Sequence, residues 1–321
     1  MASRRNERRP RPRWLITGGS GLLGGNLARM ASSRADVWTT YCQHPAPTAG
    51  CEAIELDLRD AEQISAAVRR VGPEVIIHAA ALTDVDYCQE HLEEAWAINA
   101  GGSEAIAAGA AEVRARLVYI STDAVFQGDR GGYREHETAR PVNRYAASKL
   151  AGEVQVRRHI PAALILRTSI YGWNAGDKRS LAEWMRDGLM EAQTLPLFTD
   201  VFFTPILVND LADAIFDLVD LKATGMYHVA GSERCSKYAF GMTLAEVFGL
   251  DSSSIRRASV EQAGLAAPRP RDPSLCVDKA QAALGRPLPD VRQGLTRFKA
   301  LWDSGYVAAL KAADRSLVAA A

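Results

Sequence analysis

Tyr145 and Lys149 stand four positions apart in the stretch RYAASKLAGE, with only small residues between them. Residues four apart on a helix lie on one face, with Cβ atoms about 5–6 Å apart. A phenol and an ammonium group could therefore both point at one bound molecule. A surface helix that carries an aromatic residue and a cation by accident would show the same spacing. The spacing alone therefore does not show a functional pair, and other residues of the chain must support that interpretation.

A hydroxyl group is available upstream, where a predicted strand ends in Ser121-Thr122-Asp123. A free tyrosine has a pKa near 10, too high for efficient proton transfer at neutral pH. A lysine one turn away, together with an oxidised nicotinamide, would lower that pKa. Tyr145 could then give a proton to a carbonyl oxygen while hydride reaches the carbon, and Thr122 would hydrogen-bond the same oxygen. The set predicts reduction of a carbonyl group.

Glycines at 18, 21 and 24 form a G-x-x-G-x-x-G pattern directly after the first predicted strand. The first glycine allows a tight turn, the second lets a pyrophosphate approach the backbone, and the third lets helix and strand pack closely. The following helix offers free N–H groups and a partial positive charge to phosphates. Glycines at a tight turn can be purely structural, but this position favours dinucleotide binding.

The choice of dinucleotide depends on the end of the second strand, which reads Thr40-Tyr41-Cys42-Gln43-His44. A carboxylate there would bind the adenosine ribose and favour NAD. None is present, and Asp36 lies at the other end of the strand. The missing acid removes repulsion toward a 2′-phosphate, so the hypothesis is NADP(H), with NAD(H) possible. No arginine occurs at this strand end to support the choice.

Short apolar runs alternate with helical patterns along the chain. Strands are predicted at 14–17, 36–41, 51–56, 75–79, 117–121, 163–167 and 226–229, and helices at 21–33, 60–70, 93–111 and from 209. Continuous apolar strands that alternate with helices indicate a parallel sheet covered on both faces. The predicted fold class is α/β, a doubly wound Rossmann-type parallel sheet with a smaller C-terminal substrate-binding region.

The predicted organisation has three parts. Residues 1–13, rich in Arg and Pro, form a disordered basic tail. Residues 14–169 form the NADP-binding Rossmann domain, and parts of 200–235 complete its sheet. Residues 170–199 and 236–321 form the substrate-binding region.

The composition sets limits on partners and location. Lys+Arg and Asp+Glu balance at 38 each, so no overall charge favours nucleic acid or a membrane. No segment is apolar and long enough for a signal peptide or a bilayer span. The five cysteines are scattered and the six histidines form no ligand-spaced cluster. These features predict a soluble cytoplasmic protein without a catalytic metal.

Several motifs together resemble extended short-chain dehydrogenases/reductases: TGGSGLLG, WAINAGG, STDAVF and Y-x-x-x-K. Longer segments are similar to dTDP-4-dehydrorhamnose reductases and their relatives: HAAALTDVDYCQE (78–90), STDAVFQG (121–128), GGYREHETARPVNRYAASKLAGE (131–153), LRTSIYG (166–172) and RPRDPSLCVDKAQAALG (269–285). The resemblance covers nearly everything after residue 13. It implies a fold, a cofactor and a set of site residues.

By this resemblance, Tyr145 is the acid, and Lys149 is its partner and holds the nicotinamide ribose. Thr122, with Asp123 beside it, contacts the sugar carbonyl, and Asn99 supports the lysine through water. The implied cofactor-binding set is Gly18, Gly21, Leu22, Leu23, Gly24, Tyr41, Asp57, Leu58, Ala79, Ala80, Ala81, Thr83, Tyr145 and Lys149. Other roles stay open, since Asn99 could bond backbone, Asp57 could cap a helix and the alanines could simply pack.

Some positions depart from the family pattern. Ala124 stands where sugar-nucleotide dehydratases carry a glutamate, so dehydration is not expected. Trp173 is shifted in position from the tryptophan of typical family members. Arg269 and Arg271 are candidates for contacts with the substrate diphosphate.

The resemblance implies an NADPH-dependent reductase of a 4-keto deoxysugar nucleotide, with a small-molecule nucleotide sugar as substrate and a homodimer as the family expectation. An epimerase or a reductase of another ketone would keep the same residues. The chain also resembles the regulatory beta subunit of methionine adenosyltransferase, which binds NADP in the service of a partner.

Overall fold

The computed structural model describes residues 11–45, 48–176 and 178–318, so most of the predicted disordered tail lies outside it. The strands of the described residues are β1 (Arg13–Thr17), β2 (Asp36–Tyr41), β3 (Cys51–Glu55), β4 (Val75–His78), β5 (Arg116–Thr122), β6 (Leu164–Thr168), β7 (Ile170–Tyr171), β8 (Leu195–Phe198), β9 (Phe202–Phe203), β10 (Ile206–Leu207), β11 (Gly225–His228), β12 (Cys235–Ser236) and β13 (Ile255–Ala258). Arg13, which the sequence placed in the tail, is thus the first residue of β1.

Seven parallel strands of the described residues form the central sheet, in the order β11-β6-β5-β4-β1-β2-β3. Successive strands run outward in opposite directions from β1 and β4, and a crevice opens at the carboxyl ends of strands where the order reverses. The predicted doubly wound parallel α/β fold is confirmed. The short strands pair outside this sheet, β7 with β10, β9 with β12 and β8 with β13.

The helices of the described residues are α1 (Leu22–Ala31), α2 (Ala61–Val71), α3 (Val85–Glu90), α4 (Leu92–Trp96), α5 (Gly102–Glu112), α6 (Arg144–His159), α7 (Leu181–Met190), α8 (Val208–Asp220), α9 (Lys237–Phe248), α10 (Asp278–Leu284), α11 (Val291–Asp303) and α12 (Tyr306–Val318). None is long and apolar enough to cross a membrane.

The central strands bury both faces because side chains alternate along a strand. On β1, Leu15 packs into a cluster with α2, α5 and α6. Its neighbour Ile16 packs into the opposite cluster, with α1 and α8. A separate hydrophobic core joins the segment from Tyr171 to Leu207 with α9, α11 and α12. The described residues thus form one hydrophobic core on each face of the sheet and a further core outside it.

The predicted helix 93–111 is interrupted. The structure has α4, then a π-helical turn at Ala97–Gly101, then α5. A π turn inserts one extra residue into a helix, and the apolar pattern of an Ala-rich segment gives no sign of it. The turn lets α5 start close to the loop after β3, where a Cβ on Gly102 would lie 2.8 Å from the Leu58 carbonyl oxygen.

Candidate active site

A cleft of about 580 Å³ opens at the carboxyl ends of the central strands. Nearly all of the predicted site residues line it: Gly18, Gly21, Leu22, Leu23, Gly24, Tyr41, Asp57, Leu58, Ala79, Ala80, Ala81, Thr83, Thr122, Asp123, Tyr145 and Lys149. Asn99 does not. The cleft also takes in residues that the sequence did not single out, among them Ser169, Asn174 and Ser180.

The glycine turn at one end of the cleft is built for close backbone contact. Gly18 has φ +74°, a conformation that favours glycine, and its N–H donates to Thr40 Oγ1 at 3.2 Å. A Cβ on Gly24 would lie 2.1 Å from the Gly18 carbonyl oxygen. Helix α1 begins after Gly21 with no side-chain cap and no acid in its first turn. Its first N–H groups are thus available to an anion in the cleft.

Asp57 and Tyr41 line the outer end of the cleft, beside Cys42. Asp57 accepts hydrogen bonds from Arg59, from Nε at 3.0 Å and Nη2 at 2.6 Å. Those bonds hold the pKa of the Asp57 carboxyl below its usual value. Asp57 does not cap α2, because Asp60 does so through Gln63 N.

Arg59 is a cation near the end of β2 that the sequence did not reveal. Burial is the main cause of the raised pKa of the Cys42 thiol, and the charge of Arg59 lowers that pKa in part. Arg59 follows β3, so a search along β2 alone could not find it. The hydrogen-bonded pair of Asp57 and Arg59 thus borders the predicted position of the adenosine.

Asn99 lies behind the cleft rather than in it. Its Oδ1 accepts from Leu82 N at 2.8 Å, and its Nδ2 donates to Leu82 O at 3.0 Å and Ser148 Oγ at 2.9 Å. The side chain therefore ties the cleft-lining segment after β4 to α6. Its water-mediated support of Lys149 stays a prediction.

The groups that the sequence predicts for proton transfer meet where β5 ends and α6 begins. Asn143 caps α6 by accepting from Ala146 N at 2.9 Å, which fixes Tyr145 in the first turn. The Thr122 hydroxyl donates to Asp123 Oδ1 at 3.1 Å, and it lies near enough to the Tyr145 hydroxyl to lower the pKa of that phenol in part. Two neighbouring hydroxyl groups thus line the same cleft.

The pKa values of Tyr145 and Lys149 differ from those that the sequence led us to expect. Burial raises the pKa of Tyr145 above its ordinary value, with Thr122 opposing in part, and Lys149 is not among the groups that lower it. Burial lowers the pKa of Lys149 to about 7. The prediction that Lys149 lowers the pKa of Tyr145 is therefore wrong when only protein groups act. A protonated phenol is nevertheless the form that a proton donor requires.

A buried ion pair lies beneath Lys149. Glu153, one turn further along α6, accepts from Arg167 Nε at 2.8 Å and Nη2 at 2.7 Å, and from Ser121 Oγ at 2.6 Å. The side chains of Glu153 and Arg167 are 0% and 4% exposed. The Glu153 charge raises the pKa of Lys149 against the effect of burial. The four-residue spacing from Lys149 could have revealed Glu153 in the sequence.

Some suggested substrate contacts do not reach the cleft. Arg269 donates to Asp86 Oδ2 at 2.7 Å, and Arg271 pairs with Glu261. Trp173 is buried in the second core, with its ring stacked on Phe298. No group of three or more His, Cys, Asp or Glu side chains in the described part of the chain is arranged to hold a metal ion.

Comparison with known proteins gives a consistent result. The family model described as the RmlD substrate binding domain matches residues 12–303. The dTDP-4-dehydrorhamnose reductase of Mycobacterium tuberculosis strain H37Rv is 30% identical over 310 residues, which are 95% of this chain and 94% of that protein. Methionine adenosyltransferase 2 subunit beta of Xenopus tropicalis is 32% identical over 312 residues, covering 90% and 89% of the two chains.

Among solved structures, dTDP-4-dehydrorhamnose reductase from Bacillus anthracis, in complex with NADP, superposes with a TM-score of 0.81. It is 31% identical in sequence, and the match covers 90% of this chain and 99% of that one. The family match from 12 to 303 includes the central sheet and most of the second core.

Proposed function

This chain belongs to the family of the RmlD substrate binding domain, and from that premise we propose that it reduces the keto group of a 4-keto deoxysugar nucleotide with NADPH, as in the conversion of dTDP-4-dehydrorhamnose to dTDP-rhamnose. The observation that carries the proposal is the adjacency of the Thr122 and Tyr145 hydroxyls in a cleft that also contains the glycine turn. The relatives that carry the name dTDP-4-dehydrorhamnose reductase support the substrate class.

Different residues along the cleft would bind the cofactor and transfer the proton. The uncapped start of α1 and the glycine turn would hold the pyrophosphate, and Lys149 the nicotinamide ribose. Bound NADPH supplies hydride to the substrate carbon. Thr122 and Tyr145 hold the carbonyl oxygen, and Tyr145 gives it the proton as negative charge develops. Lys149 would act in its charged form, as a hydrogen-bond donor to that ribose.

The proposal includes a division of the chain. Residues 14–169 with parts of 200–235 bind the cofactor, and residues 170–199 and 236–321 bind the sugar nucleotide. The contribution of β11 to the central sheet and the separate second core support this division. The cytoplasm is the proposed location and a homodimer the proposed assembly.

NADPH is the proposed reductant. No carboxylate occurs from Thr40 to His44, and Arg59 supplies a cation near this strand end. Comparing the KM values for NADPH and NADH tests the choice. A tenfold preference for NADH would overturn it.

The direct test is to give the purified protein dTDP-4-dehydrorhamnose and follow the absorbance of NADPH. The proposal predicts one NADPH oxidised per sugar nucleotide reduced. An epimerase would show no net consumption of NADPH, and turnover only with another ketone would assign a different substrate.

The similarity to methionine adenosyltransferase 2 subunit beta favours one second candidate, a non-catalytic NADP-binding regulatory subunit. NADPH binding without turnover of any keto-sugar nucleotide, together with co-purification with a synthetase, would select it. Retention of both Tyr145 and Lys149 in the cleft supports catalysis instead.

A further inference from the structure

Three cations line the cleft among the residues that the structure describes: Lys149, Lys178 and Arg179. Lys149 is buried on α6 and is assigned to the nicotinamide ribose. Lys178 and Arg179 are exposed and come from the loop between β7 and α7, of which 172–176 and 178–180 are described. The proposed function leaves these two charges without a ligand group.

The start of this loop packs against the glycine turn. Asn26 on α1 donates from Nδ2 to Trp173 O at 2.9 Å. A Cβ on Gly176 would lie 3.7 Å from Ser20 O, inside the turn. Lys178 follows Gly176 by two residues, which span at most about 7 Å of chain. The loop therefore brings Lys178 close to the glycine turn.

Buried hydrogen bonds hold the rest of the loop. Asn174 is 6% exposed, and its Nδ2 donates to Lys178 O at 2.6 Å. The Glu183 carboxylate accepts from Asn174 N at 3.2 Å through one oxygen and from Ser180 N at 2.9 Å through the other. These bonds fix the backbone on both sides of Lys178 and Arg179, so the two cations are positioned before a ligand arrives.

Arg179 has only a weak ionic contact within the protein. Its Nη1 lies 3.8 Å from Asp187 Oδ2, beyond hydrogen-bonding distance, and its side chain is 57% exposed. Asp187 has a closer partner in Arg186, at 2.8 Å. An exposed contact of this kind contributes little to stability. Arg179 can therefore turn to a ligand in the cleft at small cost.

The chemistry of the ligand group follows from the two side chains. Lysine and arginine only donate hydrogen bonds, so the group must accept them. The arginine fork suits two phosphate oxygens, and a lysine binds phosphate as a point charge. The uncapped start of α1, which also lines the cleft, attracts anions as well. A diphosphate would be bound by both elements.

We propose that Lys178 and Arg179, together with the start of α1, bind a diphosphate in the cleft. NADPH and a nucleotide sugar both carry this group, and the packing of the loop on the glycine turn favours the pyrophosphate of the cofactor. The inference rests on the proposed function and deepens it, because it takes the cleft to bind these two ligands. It makes the loop between β7 and α7 a second anion-binding element.

The experiment measures binding without turnover, using fluorescence titration for NADPH and calorimetry for dTDP. For Lys178→Gln/Arg179→Gln, the Kd for NADPH is expected to rise about tenfold or more, because hydrogen bonds between charged groups are strong. Added salt should weaken NADPH binding to wild type more than to this variant. Adenosine 2′-monophosphate lacks the pyrophosphate and should bind both proteins equally. Lys178→Arg/Arg179→Lys keeps both charges and should recover most of the loss.

Arg69→Gln/Lys222→Gln is the matched control, since it also removes two exposed positive charges, both outside the cleft. Arg69 is 57% exposed, as Arg179 is. This variant should bind NADPH and dTDP as wild type does.

A loss of NADPH affinity assigns the two cations to the cofactor pyrophosphate, and a loss of dTDP affinity assigns them to the diphosphate of the nucleotide sugar. Unchanged affinity for both ligands overturns the inference. An equal loss in the control variant, or with adenosine 2′-monophosphate, also overturns it. Wild type that binds NADPH but does not reduce dTDP-4-dehydrorhamnose overturns the proposed function, while the binding comparisons still decide the inference. Wild type that binds neither ligand overturns both.

Discussion

Replacing Glu153 by Gln tests the buried ion pair beneath the active site. Glu153 and Arg167 are almost fully buried, and the carboxylate accepts three hydrogen bonds. The glutamine side chain would keep one acceptor oxygen but lose the charge and the second acceptor. Arg167 would then be a buried cation without a counter-ion, and its Nη1 already has no partner. We expect the free energy of unfolding to fall by about 3–5 kcal/mol, the usual cost of breaking a buried pair.

The same substitution should change the pH profile. Glu153 raises the pKa of Lys149, which burial lowers to about 7. Without that charge the pKa of Lys149 falls further, so the ammonium loses its proton at a lower pH. The alkaline limb of kcat/KM is therefore expected to move to lower pH. NADPH oxidation measured across pH reports this shift.

Urea unfolding of Glu153→Gln and of a surface control separates the effects. Glu112 pairs with Arg69 at 3.1 Å on the surface, with both side chains about half exposed. Glu112→Gln should therefore cost about 0.5 kcal/mol or less. A Glu153→Met/Arg167→Met double variant should lose less than Glu153→Gln, because it leaves no buried charge unpaired. Equal losses for Glu153→Gln and Glu112→Gln, or an unshifted alkaline limb, would refute the reasoning.

Two further predictions concern cofactor binding and acid stability. Gly24→Ala should weaken NADPH binding severely in a fluorescence titration and destabilise the fold by about 1–3 kcal/mol, since its Cβ would lie 2.1 Å from the Gly18 carbonyl oxygen. Gly101→Ala, whose Cβ would come no closer than 3.9 Å to a neighbouring atom, is the control, and equal affinity in both variants would contradict the steric account. Burial lowers the pKa of His78 and His228 to about 3, so the unfolded chain takes up protons below pH 6.5 that the folded chain does not, and stability falls as pH falls. Urea titrations should show a loss of about 2 kcal/mol per histidine at pH 5, and a His228→Gln variant with the same pH dependence as wild type would speak against it.

The sheet was predictable because its strands are buried on both faces. The strand predicted at 36–41 is β2 residue for residue, and the other predicted strands of the central sheet lie within a residue or so of the observed ones. Apolar runs between turn signals carry this information locally. The π turn at Ala97–Gly101 carries no such signal, because it changes only the backbone hydrogen bonding.

Some residues of the candidate site could likewise be predicted from the sequence, and others could not. The glycine turn and the Tyr145–Lys149 pair were visible because each is a local pattern with a fixed spacing. Arg59 was not, because tertiary structure brings it from the end of β3 to the end of β2. The effect of burial on Tyr145 could not be predicted either, since the helix pattern gives its face but not the depth of the cleft.

The most direct measurement is the rate of NADPH oxidation by Tyr145→Phe with the keto-sugar nucleotide that wild type reduces. The account predicts that kcat falls about 10²–10⁴-fold, the usual contribution of a general acid, while the affinity for NADPH stays unchanged. Tyr227→Phe removes a hydroxyl on β11, outside the cleft, and should turn over like wild type. Normal turnover by Tyr145→Phe would contradict the central claim that this phenol is the proton donor.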